Sequence, residues 1–325
     1  MLDFFGSIGG AIMAPLYYAV SFILVGFHRG LSALGLDPAG GWTWILSIIG
    51  LTLVVRTALI PLFVKQIKSS RNKQLIQPKV RELQKKYGHD REKLAQETMK
   101  LYKDSGTNPF ASCLPILLQM PIFLALFRML DQAARKGKAH GFMDTELAGQ
   151  FRDAKFFGDI PVSGTFLNND GVTGVMVVAA VLVLAMTATT FMTQRQLMSK
   201  NMPADALSGP YAQQQKLLLY VLPVVFAVGG IAFPIGVLVY WTISNLWTMC
   251  QQFYVIRNNP APGTPAAKAK EERDRHKAER HGLKTPAQVE EERLAAEAEA
   301  QREEKAQARV QPQRQTKAQR NKKKR

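Results

Sequence analysis

The chain has 325 residues, 47% hydrophobic and 21% charged, with a formal net charge of +17. Averaged this way it would pass for a soluble two-domain protein, but the distribution of charge excludes that: Asp170 and Arg195 bracket 24 uncharged residues, and Lys216 and Arg257 bracket 40, the length of two bilayer crossings. The expected class is an all-α polytopic membrane protein, with about half of the basic excess in residues 257–325, where 19 Lys/Arg face 11 Asp/Glu.

In chain order, residues 1–41 form the first unit. Ile8–Phe27 is uncharged, although Gly9, Gly10 and Pro15 weaken its start and His28-Arg29 closes it. It either crosses the membrane or lies in the interface with Leu16, Tyr17 and Phe22 among the headgroups. Asp3 without an early Lys or Arg is a poor start for a cleaved signal, so residue 1 is expected in the mature chain. Residues 42–256 form the core, with five expected spans, roughly Trp42–Val64, Pro109–Leu130, Val172–Met192, Leu217–Gly230 continuing a few residues either way, and Ile231–Val255. Between them, 65–108 carries a helical stripe of Leu75, Val80, Leu83 and Tyr87, then Leu94, Met99 and Leu101, split by Gly88-His89-Asp90. That pattern predicts two amphipathic helices folded into a hairpin, with Pro78 kinking the first or starting its ordered part. Residues 131–171 read as a loop. From Asn258 the chain turns Pro-rich and then Ala/Glu/Lys/Arg/Gln-rich, and 257–325 is expected to be a disordered tail or a lone solvated helix, because it cannot bury enough apolar area to offset its chain entropy.

Orientation follows from Lys and Arg in short loops, which stay on the cytoplasmic side. Loop 65–108 holds twelve, loop 131–171 only five against six acids, and Gln194–Lys216 three. The hairpin and the C-terminus are therefore expected to be cytoplasmic and 131–171 outside. Cys113 and Cys250 are expected as two buried thiols rather than a disulfide.

Arg56 is the most informative residue, flanked by eleven or more uncharged positions on one side and eight on the other. An Arg near a bilayer centre costs about 2.5–3.5 kcal/mol on insertion scales, and every acid in the chain lies in a loop, a terminus or the tail. It is either bonded to helix carbonyls or phosphate, or it marks a hydrated pocket awaiting an acidic guest. Thr52, Thr57, Gln119, Thr187, Thr189, Thr190, Thr242, Ser244 and Asn245 can line such a pocket or simply pack helices, Gln119 and Asn245 being the stronger candidates because an amide in hydrocarbon needs several partners. No His/Cys/Glu spacing suits a metal and no Gly-Lys-Ser/Thr loop is present. Hence no enzyme, no catalytic residue, no cofactor and no DNA partner is expected.

Four stretches in order resemble the YidC/Oxa/Alb membrane protein insertases. Ile49 through Arg56 with Ile60-Pro61-Leu62 is similar to the family's first core helix, and Gln77-Pro78-Lys79 with Gln84-Lys85-Lys86-Tyr87 to its cytoplasmic hairpin. Asn108-Pro109, Cys113-Leu114-Pro115 and Gln119 through Phe123 resemble its second core helix, and Tyr240 through Trp247 with Gln251-Gln252 its last. The resemblance implies a five-helix core bundle around a hydrophilic groove, open to cytoplasm and lipid, and a probable extra N-terminal helix here. It implies Arg56 as the groove charge, with Thr52, Gln119, Met120, Phe123, Tyr240, Trp241 and Asn245 lining the groove, and Gln77, Pro78, Lys85, Lys86 and Tyr87 in the receiving hairpin. The expected function is a membrane protein insertase and chaperone in a bacterial cell membrane, acting on nascent membrane proteins. The basic tail reaches the ribosome or anionic lipids, and the Sec translocon is a further partner. Neither a large domain before the core nor an early lipobox cysteine is expected, and the tail resembles actinobacterial members. A membrane-complex assembly chaperone without translocation, and a small-anion channel or transporter, stand as alternatives.

Overall fold

The computed structural model describes residues 2–106, 114–169, 171–202, 210–284 and 286–310. Met1–Ala267 forms one compact unit and Lys268–Arg325 a second. In the first, α1 (Leu2–Ala33) is followed by α2 (Gly41–Ala58), α3 (Ile60–Tyr87), α4 (Arg91–Asp104), α5 (Leu114–Lys136), α6 (Thr145–Asp153), a two-stranded antiparallel ribbon of β1 (Lys155–Phe156) and β2 (Ile160–Pro161), then α7 (Thr173–Asn201), α8 (Pro210–Gly230) and α9 (Ile235–Asn258). Helix α10 (Pro265–His281) begins at its end, and α11 (Pro286–Val310) lies in the second, whose side chains are mostly exposed. By length and composition α2 and α7 can cross a membrane, and α8 carries a shorter apolar stretch, Leu219–Gly230.

The core runs through α1, α2, α5, α6, α7 and α9. Val20 and Leu24 of α1, Trp44, Ile48 and Leu51 of α2, Leu126, Met129 and Leu130 of α5, and Ile235, Val237 and Leu238 of α9 are all buried in it. Helix α1 meets α2 where Gly50 lets the Phe27 ring lie on the α2 backbone, and where the His28 ring packs on Trp44 at 4.0 Å with Nε2 at 2.9 Å from the Pro38 carbonyl.

Residues 131–171, read from sequence as a loop, are structured. Asp144 caps α6 by accepting the Leu147 N–H at 2.8 Å. Phe151 of α6 is fully buried under Trp44. The carbonyls of Gly164 and Val162 accept the N–H groups of Ile235 and Gly236, satisfying donors that the first turn of α9 would otherwise leave unpaired. The preceding turn is fastened to α1: Ser21 Oγ accepts the Phe142 N–H at 2.8 Å, and Tyr17 stacks on His140 at 4.5 Å. Burial, with Lys138 and Arg128 nearby, holds the His140 imidazole below its usual range.

The expected span Trp42–Val64 is two helices, not one. Pro61 has no N–H for the Thr57 carbonyl, so α2 stops and α3 starts afresh around Leu59. Helix α3 then runs through Pro78 without a break, although the side chains of Gln77 and Pro78 lie outside the described ones. In the hairpin Ile76, Val80 and Tyr102 bury each other, while Met99, placed by periodicity on the apolar stripe, is exposed. Asp90 caps α4 through the Lys93 N–H. Helix α7 continues nine residues beyond Met192 and α8 starts seven before Leu217, because Met198, Met202 and Leu219 pack together while Arg195 and Lys216 stay exposed. A charge ends a hydrocarbon span but not a helix. The last helix starts at Ile235, with Pro234 at its cap, not at Ile231. Cys250 is exposed, against the expectation of a buried thiol, and Asn108, Pro109 and Cys113 lie outside the described residues.

A Cβ at Gly41 would sit 2.6–2.8 Å from the Lys155–Phe156 backbone, whereas one at Gly149 meets nothing within 4 Å. Gly41→Ala is therefore expected to destabilise by about 1–3 kcal/mol through forced displacement of the ribbon. Gly149→Ala, inside α6, gains up to about 1 kcal/mol of helix propensity. Thermal unfolding in detergent should move in opposite directions for the two.

Candidate functional site

Arg56 lies in the last turn of α2, not in mid-helix, because Pro61 ends that helix. A cation is favoured there by the unpaired carbonyls at a helix C-terminus. Thr52, one turn earlier, is fully buried and donates to the Ile48 carbonyl at 2.7 Å. Arg56 is half-buried, and among the described residues no carboxylate forms an ion pair with it. It interacts electrostatically with Tyr240 of α9, itself buried.

Tyr240, Ser244 and Trp247 share one face of α9 at spacings of four and three. On α5 the corresponding row is Gln119, Phe123 and Phe127, spaced by four. Phe123 joins the two rows, with ring centroids 6.3 Å from Tyr240, 5.2 Å from Trp241 and 6.0 Å from Phe127. Trp241 is held further by Phe226 of α8 at 4.9 Å and by Phe233 at 5.7 Å. Within this wall Gln119 Oε1 and Trp247 Nε1 are buried and have no hydrogen-bond partner among the described residues, while Ser244 stands beside the Tyr240 hydroxyl. Orphaned polar atoms in an otherwise aromatic lining are what a water-admitting cleft requires, since a dry one would leave each unsatisfied at about 1–3 kcal/mol.

The structure relates Arg56 to Tyr240, and Tyr240 and Trp241 to Phe123, with Thr52 one turn before Arg56 on α2 and Gln119 one turn before Phe123 on α5. Met120 stands one residue off the α5 row and is 46% exposed. Asn245 is on another face: its Nδ2 donates to Thr190 Oγ1 at 3.1 Å and to the Met186 carbonyl at 3.5 Å, while Thr242 donates to the Leu182 carbonyl at 3.4 Å. Thr187, Thr189 and Thr190 return their hydroxyls to their own helix. These residues are the polar seam of the α7–α9 contact. Lys85 and Lys86 are exposed on the hairpin, with Lys86 and Lys93 over the Tyr87 ring at 5.1 and 5.5 Å. Phe226 was not legible as a site residue, since an isolated Phe in an apolar run carries no periodic signal. Among the described residues no group of three or more His, Cys, Asp or Glu side chains could hold a metal ion.

Asn245→Ala removes the two interhelical hydrogen bonds to Thr190 and Met186, of the kind worth about 0.6–2 kcal/mol each within a bilayer. The expected outcome is a small loss of stability in detergent with little change in activity, the reverse of what substitution at Arg56 should produce.

Residues 36–262 match the model of the family described as 60Kd inner membrane protein. A membrane protein insertase YidC from Streptomyces avermitilis is 47% identical over 272 residues, covering 81% of this chain and 62% of its own length. Others of that name are similar: one from Tropheryma whipplei is 38% identical, covering 81% of this chain and 89% of itself, and one from Bifidobacterium longum is 36% identical, covering 90% and 89%. A crystal structure described as an active YidC insertase with its first transmembrane domain resolved is 24% identical with a TM-score of 0.44, covering 73% of this chain and 46% of its own. On the match of more than two thirds of its length to the family model and of most of it to these relatives, the chain belongs to the YidC family of 60Kd inner membrane proteins.

Proposed function

We propose that this chain is a membrane protein insertase and chaperone whose working site is the cleft at Arg56. The observation that carries the reading is a half-buried guanidinium with no carboxylate beside it among the described residues, facing a wall that combines aromatic rings with unpartnered polar atoms. Such a site attracts an acidic, hydrophilic stretch of a passing chain while offering its apolar neighbour a greasy exit.

In this reading α2, α5, α7, α8 and α9 each cross a cell membrane, enclosing a groove open to the cytoplasm and to lipid. The α3–α4 hairpin and the C-terminus lie in the cytoplasm, and α1 is a sixth span alongside α2. The hairpin receives the nascent segment, and its hydrophilic tail enters the groove. A carboxylate about 4 Å from Arg56 at an effective dielectric of about 20 gains roughly 4 kcal/mol, offsetting part of its desolvation. The apolar segment moves along Phe123, Tyr240 and Trp241 into lipid, driven by about 25 cal/mol for each Å² buried. No covalent step is needed, and no enzyme activity is part of the reading. Partners are nascent membrane proteins, the Sec translocon, and the ribosome through the basic tail, where Lys and Arg gain affinity by releasing counterions from RNA.

The test reconstitutes the protein in liposomes and follows protease protection of a small membrane protein with an acidic translocated tail. Arg56→Ala should reduce protection at least about tenfold, equivalent to ~1.4 kcal/mol, with Arg56→Lys intermediate. Wild-type activity from the Ala variant would make Arg56 structural, and no protection by wild type would remove the insertase reading. For the tail, deletion of 257–325 should abolish co-sedimentation with ribosomes in detergent, with a salt-sensitive wild-type signal. Unchanged co-sedimentation would leave anionic lipid as the tail's target.

A further inference from the structure

The turn between β1 and β2 carries a feature that neither the core nor the groove explains. Phe157 is the only non-glycine residue among those described with a positive φ, at +46°, and it is 67% exposed. A bulky side chain is disfavoured in that left-handed conformation, where Asn or Gly is the usual occupant. Its neighbour Phe156 is buried, so the ribbon had one aromatic to spend on the core and holds the second outward. It points to Trp42, 44% exposed, whose ring meets it edge-on at 4.7 Å. Trp42 is the second residue of α2, the start of a helix long and apolar enough to cross a membrane.

We propose that Trp42 and Phe157 form an interfacial anchor seated at the headgroup–acyl boundary of the leaflet on the side where α2 begins. The proposal rests on the reading of α2 as a membrane span. If α2 spans, its first turn lies at the edge of the hydrocarbon, and Phe157, in contact with Trp42, lies at the same depth. Trp42, an aromatic ring with one polar edge, is the kind of residue that favours this level, the wholly apolar Phe157 ring beside it faces the acyl chains, and the exposed Lys155–Asp159 pair at 3.5 Å on the same ribbon sits among the headgroups. A lipid surface accounts for the exposure, the aromatic pairing and the retained strain together. The anchor sets the depth of α2, and with it that of Arg56, about 21 Å further along the helix axis at 1.5 Å per residue.

The experiment places a nitrobenzoxadiazole probe at Asp159→Cys, with Cys113 and Cys250 replaced by Ser, in liposomes of phosphatidylcholine and phosphatidylglycerol. Quenching is compared among lipids bearing a nitroxide near the headgroup, lipids bearing one near the chain end, and aqueous iodide. The expected result is strong quenching by the headgroup-proximal lipid, lost in favour of iodide when Phe157→Asn is added, a change that suits the left-handed backbone and leaves unfolding in detergent no lower. A probe answering only to iodide in both backgrounds overturns the anchor, and one shielded from both lipid and iodide overturns it in favour of a protein contact. A second probe at Leu53→Cys separates the two readings, since it should answer to the chain-end quencher. If it does and the Asp159 probe does not answer to lipid, the anchor alone is overturned. If it does not, the spanning of α2 is overturned and the anchor with it.

Discussion

A guanidinium cannot be left in an apolar surrounding without either a countercharge or water, and the arrangement around Arg56 follows from that constraint. No carboxylate in the described residues pairs with it, so the charge must be met by dipoles, by the Tyr240 hydroxyl and by solvent. The C-terminal turn of α2 supplies the first through its unpaired carbonyls. The helix ends there because of Pro61, so a single imino acid five residues on both terminates α2 and sets the electrostatic environment of the charge. Buried polar atoms without partners among the described residues, on Gln119 and Trp247, fit a cleft in which water completes the hydrogen bonding.

The opposite end is built for rigidity. Close approaches at Gly41, Gly50 and Gly236 let the ribbon, α1 and α6 press directly on helix backbones, and a Cβ at Gly236 would lie 2.9 Å from Phe151. Carbonyls at 162 and 164 cap α9 where it starts. Residues that position Tyr240, one turn and a half into α9, therefore lie in the segment 131–171. A side chain placed by a stiff element holds a defined distance to its neighbour, which a charge without an ion-pair partner needs if it is to meet a mobile guest reproducibly.

Much of the architecture was legible because apolar runs and charge clusters have a direct physical meaning. The hairpin and the isolation of Arg56 could be read from period and spacing, while the aromatic α5–α9 wall was implied only by the family resemblance. What escaped was local. Arg195 and Lys216 bound the uncharged spans, and nothing in the spacing says how far the helices continue past them. Pro61 was read as part of one long helix although its ring and missing N–H end it. The ordered segment 144–164 has an N-cap Asp and a turn Gly but too short a period to stand out. Asn245, marked by its amide, meets α7, and only the orientation of α9 decides between that face and the one carrying Tyr240. The groove itself, its direction and the number of crossings belong to the proposal.

Whether water reaches the wall beside Arg56 is the point on which the account turns. The direct measurement is the rate at which a membrane-impermeant methanethiosulfonate modifies Gln119→Cys in proteoliposomes, against Asn245→Cys as the amide position turned toward α7, both with Cys113 and Cys250 replaced. The account predicts rapid modification at 119, slowed by a membrane protein substrate with an acidic tail, and slow modification at 245. Equal, slow reaction at both positions would mean a dry interface around Arg56, and would contradict it.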